Sequence, residues 1–202
     1  MFKARGLYAI TNGPRADLQA VVGAALRGGA NVIQYRDKTT DKSRRLNEAT
    51  SLARLCWSHN VPLIINDDID LAIECGAAGV HLGAEDIGLS AARARLGDKA
   101  IIGVSCYDSL ALARHAVEDG ADYIAFGAFH PSPTKPLARC AKPDLLVEAR
   151  SFGVPVVAIG GITPDNAGAL IAAGADCVAV ISSLFDAPDI ESAARRFSQL
   201  FP

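Results

Sequence analysis

Eight short apolar runs recur along the chain, and most are followed by an amphipathic, alanine-rich segment. Most of the runs are nearly continuously apolar, which is typical of parallel strands buried on both faces. Segments between them, such as "DLQAVVGAALRGG", open on aspartate and close on glycine, as helices do. The pattern predicts strands at residues 7–11, 31–36, 62–66, 79–83, 100–105, 123–128, 155–160 and 177–182.

A second periodicity groups these units in pairs. The related stretches "GGANVIQ", "CGAAGVHL", "DGADYIAF" and "AGADCVAV" begin at residues 28, 75, 119 and 173, so each spacing holds two strand–helix units. Four doubled units predict an α/β fold in which eight parallel strands close into a (β/α)8 TIM barrel. An open doubly wound sheet is the competitor, but no GxGxxG motif follows the first strand. We expect one small barrel domain over residues 1–202.

Composition narrows the class of protein. Half of the 202 residues are hydrophobic and 21% are charged, which is typical of a globular domain. The net charge of -2 and the lack of a basic stripe argue against a nucleic-acid partner. No apolar stretch approaches the ~20 residues of a membrane span, and the N-terminus lacks the features of a signal peptide. We therefore expect a cytoplasmic protein whose five cysteines are reduced thiols. The sequence leaves a homodimer open.

Charged and polar residues follow the second predicted strand, and active sites of such barrels lie at the carboxyl ends of the strands. In "QYRDK", the residues Gln34, Arg36 and Lys38 alternate, and side chains two apart on a strand share a face. Gln34 and Arg36 should therefore face the barrel mouth, with Lys38 just beyond. An inward-facing arginine needs an anionic partner, so this face predicts an anion site.

Acidic groups end the next two strands, with Asn66 and Asp67 after the third and Asp86 after the fourth. Neighbouring carboxylates repel each other unless a cation or proton intervenes, and oxygen ligands suit Mg²⁺. The competing interpretation is that Asp67, or its neighbour Asp68, and Asp86 cap helices. The cations one strand away favour metal-assisted diphosphate binding.

Three later strands add candidates. Ser105 could donate a hydrogen bond to a ligand or cap the next helix, and Lys135 lies in the proline-rich "HPSPTKP". Gly160 and Gly161 follow the seventh strand, where barrels of this type usually bind phosphate together with the loop after the eighth. His81 lies within an apolar strand, and we interpret it as a satisfied core histidine.

These motifs, taken in order, resemble the thiamine phosphate synthase family from Leu7 to about Asp186. The stretches that carry the resemblance are "IQYRDK", "IINDDIDLAIECGAAGVHLGAED", "IIGVS", "GADYIAFGAFHPSPTKP", "VPVVAIGGI" and "GADCVAVISS". The chain departs from the family pattern at Asp68, where arginine is frequent, and at Ala84, where glutamine is frequent. Neither departure removes a residue with an expected role.

The resemblance implies a role for each matching residue. A pyrimidine diphosphate would be bound by Gln34, Tyr35, Arg36, Asp37, Lys38, Asn66, Ser105 and Lys135. A thiazole phosphate would be bound by Ser132, Pro133, Thr134, Gly161, Ile181 and Ser182. Asp67 and Asp86 would be ligands of the Mg²⁺ cofactor, and Arg36, Lys38 and Lys135 would act in catalysis.

The family implies a transferase of thiamine biosynthesis that joins these small-molecule substrates and releases diphosphate. Its reaction is dissociative: diphosphate leaves first, and the thiazole nitrogen captures the pyrimidine methylene cation. Two alternatives stay open, a thiazole tautomerase-like paralogue and a non-catalytic phosphate-binding domain. Neither needs the full set of diphosphate-binding residues.

Overall fold

The predicted strands pair side by side, in chain order, into a closed parallel barrel in which β8 returns to β1. The computed structural model describes residues 5–83, 88–131 and 141–201. The strands are β1 (Gly6–Ile10), β2 (Ala30–Tyr35), β3 (Leu63–Asn66), β4 (Gly79–Leu82), β5 (Ile101–Tyr107), β6 (Tyr123–Gly127), β7 (Val156–Ile159) and β8 (Cys177–Val180). Each lies within two residues of its predicted bounds, and the predicted (β/α)8 fold is confirmed.

Helices on the outside of the barrel connect the strands. They are α1 (Leu18–Arg27), α2 (Lys42–Ser58), α3 (Ile69–Cys75), α4 (Leu89–Leu96), α5 (Leu110–Glu118), α6 (Asp144–Ala149), α7 (Pro164–Ala173), α8 (Ser182–Phe185) and α9 (Ile190–Ser198). The eighth strand is thus followed by two helices, and α9 packs against α1 to close the outer ring. Within the described part of the chain, no helix has the length and apolarity needed to cross a membrane.

Alternate strand residues face two separate cores, because successive side chains on a strand point to opposite faces. On β1, Leu7 and Ala9 pack against the helices, whereas Tyr8 and Ile10 point into the barrel. Gly103 makes room there: a Cβ atom at this position would lie 1.9 Å from Cζ of Tyr123. The glycine therefore lets a large tyrosine ring occupy the centre of the barrel.

The repeated Gly-Ala-Asp lead-ins have a structural explanation. The carboxylate of Asp122, just before β6, accepts a hydrogen bond from the backbone N–H of Ile102 on β5 at 2.9 Å. Asp176, just before β8, does the same with Val156 on β7 at 2.8 Å. Each aspartate thus pairs with a backbone donor at or next to the start of the preceding strand and helps to set the register between neighbours.

Four cysteines are described, namely Cys56, Cys75, Cys106 and Cys177, and all four are buried and free of disulfide bonds. Burial raises the pKa of Cys56, Cys106 and Cys177 to about 12. These thiols therefore stay protonated near neutral pH and behave as small apolar side chains.

Candidate active site

The carboxyl ends of the strands surround a cavity of about 580 Å³. Its floor is formed by residues on the strands, and its rim is formed by the loops after β2, β3, β7 and β8. Nine of the predicted site residues line it: Gln34, Arg36, Lys38, Asn66, Asp67, Ser105, Gly161, Ile181 and Ser182. This cavity is the candidate active site, because it is concave and lies at the carboxyl ends of the strands.

Two cations stand at one side of this cavity. Arg36 and Lys38 follow β2, and neither makes a salt bridge with another residue in the described part of the chain. The backbone of Arg36 is held by Thr11, whose Oγ1 accepts a hydrogen bond from the Arg36 N–H at 2.9 Å. The cavity mouth therefore carries positive charge on a fixed backbone.

The structure does not bring Tyr35 and Asp37 into the cavity. The Tyr35 hydroxyl donates to Glu48 on α2 at 2.6 Å, outside the barrel. The buried Asp37 carboxylate lies 2.7 Å from a guanidinium nitrogen of Arg44 and accepts from the backbone N–H of Thr39 at 2.8 Å. These contacts fix the loop that carries Arg36 and Lys38 to helix α2.

Replacing Asp37 with asparagine should lower the free energy of unfolding by about 2 kcal/mol at pH 7, as expected for lost hydrogen bonds to a charged group. Burial alone would raise the pKa of Asp37, but its bonds to Arg44 and Thr39 outweigh burial and lower it. The ionised carboxylate thus stabilises the fold above the unfolded pKa of about 3.9, and the stability is lost as the pH falls through the lower folded pKa.

Urea denaturation at pH 7 and at pH 3 would measure this effect. The difference between the wild-type protein and the Asp37→Asn variant should shrink at the lower pH. Asp98→Asn, at an exposed position, is the matched control and should change little at either pH. If the difference in unfolding free energy between the two proteins were the same at both pH values, the ionised Asp37 carboxylate would not be its source.

The two adjacent aspartates after β3 have different environments. Asp67 lines the cavity in the left-handed region at φ 61°, and its carboxylate accepts a hydrogen bond from the Asn66 amide at 2.5 Å. Asp68 instead caps α3 by accepting from the N–H of Leu71 at 2.9 Å, and it forms an ion pair with Arg45 at 2.9 Å. Capping is therefore the role of Asp68, whereas Asp67 lines the cavity.

The backbone of Asp67 is strained, because few residues other than glycine adopt positive φ, although aspartate and asparagine do so more readily. Its N–H donates to the carbonyl of His81 on the neighbouring strand at 2.9 Å. Such strain persists when the surrounding structure enforces it, and it clusters at functional sites. Asp67 is the only acidic residue among the described residues that line the cavity.

The cavity floor holds a polar network that no local sequence motif indicates. Gln34, Tyr8, Tyr123, His81 and Ser105 form a continuous chain of hydrogen bonds with lengths of 2.8 to 2.9 Å. Both ring nitrogens of His81 are bonded, as predicted for a satisfied histidine, but the side chain is half-buried and lines the cavity, so the prediction that it belongs to the core is wrong. The inward-facing positions of Tyr8 and Tyr123 on their strands are the sequence signal that could have indicated this network.

The opposite side of the cavity is built from glycines and helix starts. Gly160 and Gly161 have φ of 103° and 61°, and the hydroxyl of Ser183 donates to the carbonyl of Ile162 at 2.7 Å. This bond ties the start of α8 to the loop after β7. The first N–H groups of a helix have no intrahelical acceptor, so Ser182 and Ser183 offer donors to an anion.

Five predicted site residues lie outside the described residues: Asp86, Ser132, Pro133, Thr134 and Lys135.

A second, open groove lies near the start of α1, where Arg15 pairs with Asp17 at 2.6 Å. In the same groove Asn12 donates to Asp186 at 2.8 Å. Its polar groups satisfy one another, so it is not a candidate site.

Known proteins match nearly the whole of the chain. A family model described as thiamine monophosphate synthase matches residues 7–184. The thiamine-phosphate synthase of Nitrosococcus oceani is 54% identical over 98% of this chain and 93% of its own length. That of Marinobacter nauticus is 53% identical over 97% and 90%.

A solved structure of the same kind of enzyme also matches this chain. Thiamine phosphate pyrophosphorylase from Pyrococcus furiosus superposes with a TM-score of 0.88 at 33% identity, covering 98% of this chain and 96% of that chain. A 3-hexulose-6-phosphate synthase shares 15% identity with a TM-score of 0.70, which is a likeness of fold alone. The chain therefore belongs to the thiamine monophosphate synthase family.

Proposed function

We propose that this protein joins a hydroxymethylpyrimidine diphosphate to a thiazole phosphate, releasing diphosphate and forming thiamine phosphate in the cytoplasm. The observation that carries the proposal is the convergence of Arg36, Lys38 and the Asp67 carboxylate on one side of a cavity. Gly161 and Ser182 line the opposite side. One side suits a diphosphate with a metal ion, and the other suits a phosphate monoester.

The donor set fits Mg²⁺. The Asp67 carboxylate is a hard oxygen ligand, and Mg²⁺ in such sites takes one or two carboxylates together with substrate phosphate oxygens. Asp67 would hold the ion, with Asp86 as the second ligand that the family resemblance implies. When bound, Mg²⁺ supplies Lewis-acid stabilisation of the negative charge on the departing diphosphate.

The cations on the rim perform the electrostatic part of the reaction. Arg36 and Lys38 stabilise the charge that accumulates on diphosphate as its bond to the pyrimidine methylene carbon breaks. Lys135 would add a third cation. No general base is required for bond formation, because the thiazole nitrogen attacks the methylene cation with its own lone pair.

The walls of the cavity control what captures that cation. Gly161, Ile181 and Ser182 would hold the thiazole phosphate, with Ser132, Pro133 and Thr134 as further contacts. Fixing the nucleophile beside the cation converts capture into an effectively unimolecular step and keeps water from reacting first. Tyr35 and Asp37 would act indirectly, by holding the loop that bears the two cations.

Replacing Gly161 with alanine should raise the KM for the thiazole phosphate about tenfold, or about 1.4 kcal/mol. Gly161 has φ of 61°, and a Cβ atom there would lie 2.4 Å from the carbonyl oxygen of Pro131, so the loop must shift. Gly168→Ala is the matched control, because nothing lies within 4 Å of that Cβ on α7. If steady-state kinetics gave the same rise in KM for both variants, the proposed binding of the thiazole phosphate at Gly161 would be wrong.

Incubating the purified protein with both phosphorylated substrates and Mg²⁺ tests the proposal directly. We expect thiamine phosphate and diphosphate to form in equal amounts, with neither formed when one substrate is omitted or the metal is chelated. Tautomerisation of the thiazole without coupling would favour the tautomerase-like alternative. Binding of either substrate without turnover would favour a phosphate-binding domain.

A further inference from the structure

The polar chain on the cavity floor connects residues from five different strands. It runs from Gln34 on β2 through Tyr8 on β1, Tyr123 on β6 and His81 on β4 to Ser105 on β5. Both ends and all three intermediate groups line the cavity. A change in the direction of one hydrogen bond must therefore be passed to the next, because a hydroxyl has only one proton to donate.

The amide of Gln34 favours one direction for this chain. Its Nε2 donates to the Tyr8 hydroxyl at 2.8 Å, and the Tyr8 and Tyr123 oxygens lie 2.8 Å apart, where either hydroxyl can donate. Donation by Tyr8 to the Tyr123 oxygen continues the direction that Gln34 sets. The Tyr123 proton is then directed to Nδ1 of His81, at 2.9 Å. His81 consequently carries its own proton on Nε2 and donates it to Oγ of Ser105 at 2.8 Å.

The two ends of the chain consequently present opposite functions to the cavity. Ser105 accepts from His81, so its hydroxyl proton is left to donate to a ligand. Gln34 uses its amide nitrogen on Tyr8, so its carbonyl oxygen is left to accept. Burial raises the pKa of both tyrosines above the ordinary value, so both hydroxyls stay neutral and the chain keeps its protons.

We propose that Tyr8, Tyr123 and His81 are positioning residues that hold Ser105 as a hydrogen-bond donor and Gln34 as an acceptor toward the pyrimidine ring. This inference rests on the proposed function. An aminopyrimidine has ring nitrogens that accept and an amino group that donates, which complements this arrangement. A 4-oxopyrimidine has an oxygen that accepts and a ring N–H that donates, so the floor selects against it.

The Gln34→Glu variant tests the direction of the chain. A carboxylate only accepts, so Tyr8 would have to donate to it, and each later bond would reverse. His81 would then carry a proton on Nδ1, although three hydrogen bonds separate it from the substituted residue. Nitrogen NMR of ¹⁵N-histidine-labelled protein at pH 8, without ligand, distinguishes a protonated from a bare Nδ1.

We expect a bare Nδ1 at His81 in the wild-type protein and a protonated Nδ1 in the Gln34→Glu variant. The His81→Asn variant assigns the resonance. Gln19→Glu places the same charge change on the exposed face of α1, and it should leave the wild-type pattern intact. A protonated Nδ1 in the wild-type protein, or a bare Nδ1 in the Gln34→Glu variant, would overturn the proposed relay.

Kinetics of the Tyr123→Phe variant test the consequence for specificity. We expect the KM for the pyrimidine diphosphate to rise about tenfold, as for one lost neutral hydrogen bond, with an unchanged KM for the thiazole phosphate. The preference of the enzyme for the aminopyrimidine diphosphate over its 4-oxo analogue should also fall. An unchanged pyrimidine KM would overturn the positioning role. If the wild-type protein makes no thiamine phosphate, the proposed function fails, while the NMR measurement still decides the direction of the chain.

Discussion

Replacing Asp67 with asparagine should lower kcat about a thousandfold, or about 4 kcal/mol, while the protein stays folded. The substitution removes the charge that would hold Mg²⁺ against the diphosphate but keeps the size of the side chain. Asparagine also tolerates the positive φ of 61° at this position, so the backbone need not change. Rates of diphosphate release at saturating substrate, measured alongside the thermal unfolding temperature, separate loss of catalysis from loss of structure.

Asp68→Asn is the matched control for this change. Asp68 caps α3 and pairs with Arg45, and asparagine is an equally good capping residue. We expect its kcat to stay within about a factor of two of the wild-type value, because the lost pair is partly exposed. Normal diphosphate release by Asp67→Asn, or an equal loss in both variants, would refute the assignment of Asp67 as the metal ligand.

The Arg36→Gln variant should lose about a hundredfold in kcat for the coupling reaction, a typical cost of removing one transition-state donor. The loss should fall mainly on kcat and less on KM, because charge on the departing diphosphate is greatest after the bond has begun to break. Thr11 holds the backbone at this position, so the loop geometry does not depend on the guanidinium. Initial rates over a range of pyrimidine diphosphate concentrations measure the two parameters.

Arg54→Gln provides the comparison, since Arg54 is exposed on α2 and lies away from the cavity. Its kinetics should match those of the wild-type protein. If Arg36→Gln raised only KM and left kcat unchanged, Arg36 would bind the substrate without assisting departure of diphosphate.

The sequence predicted the architecture well because its signals are local and repeated. Buried parallel strands give continuous apolar runs, and the doubled spacing limited the ways in which eight of them could be arranged. Alternation along β2 also placed Gln34 and Arg36 toward the cavity. The same alternation puts Tyr35 and Asp37 on the outer face, whereas the family resemblance treated all five residues from 34 to 38 as one binding segment.

The parts of the site that escaped prediction depend on contacts between distant segments. Asp67 and Asp68 are adjacent and chemically identical, and only the pairing of β3 with β4 and the position of Arg45 distinguish their roles. The bond from Tyr8 to Tyr123 joins residues 115 positions apart, so no spacing rule could have suggested it. Local patterns identify which residues are inward, but partners across the barrel come from the assembled fold.

Pairing of the first strand with the last has a consequence for biosynthesis of the protein. Arg36 and Lys38 are translated well before Ser182, and the ring of strands is complete only when β8 pairs with β1. A nascent chain that has emerged from the ribosome only as far as β7 would contain Arg36 and Lys38, which the proposal assigns to the diphosphate. It would lack Ile181 and Ser182, which the proposal assigns to the thiazole phosphate. Competence to couple the two substrates should therefore arise in a single late step, after the final strand has been released.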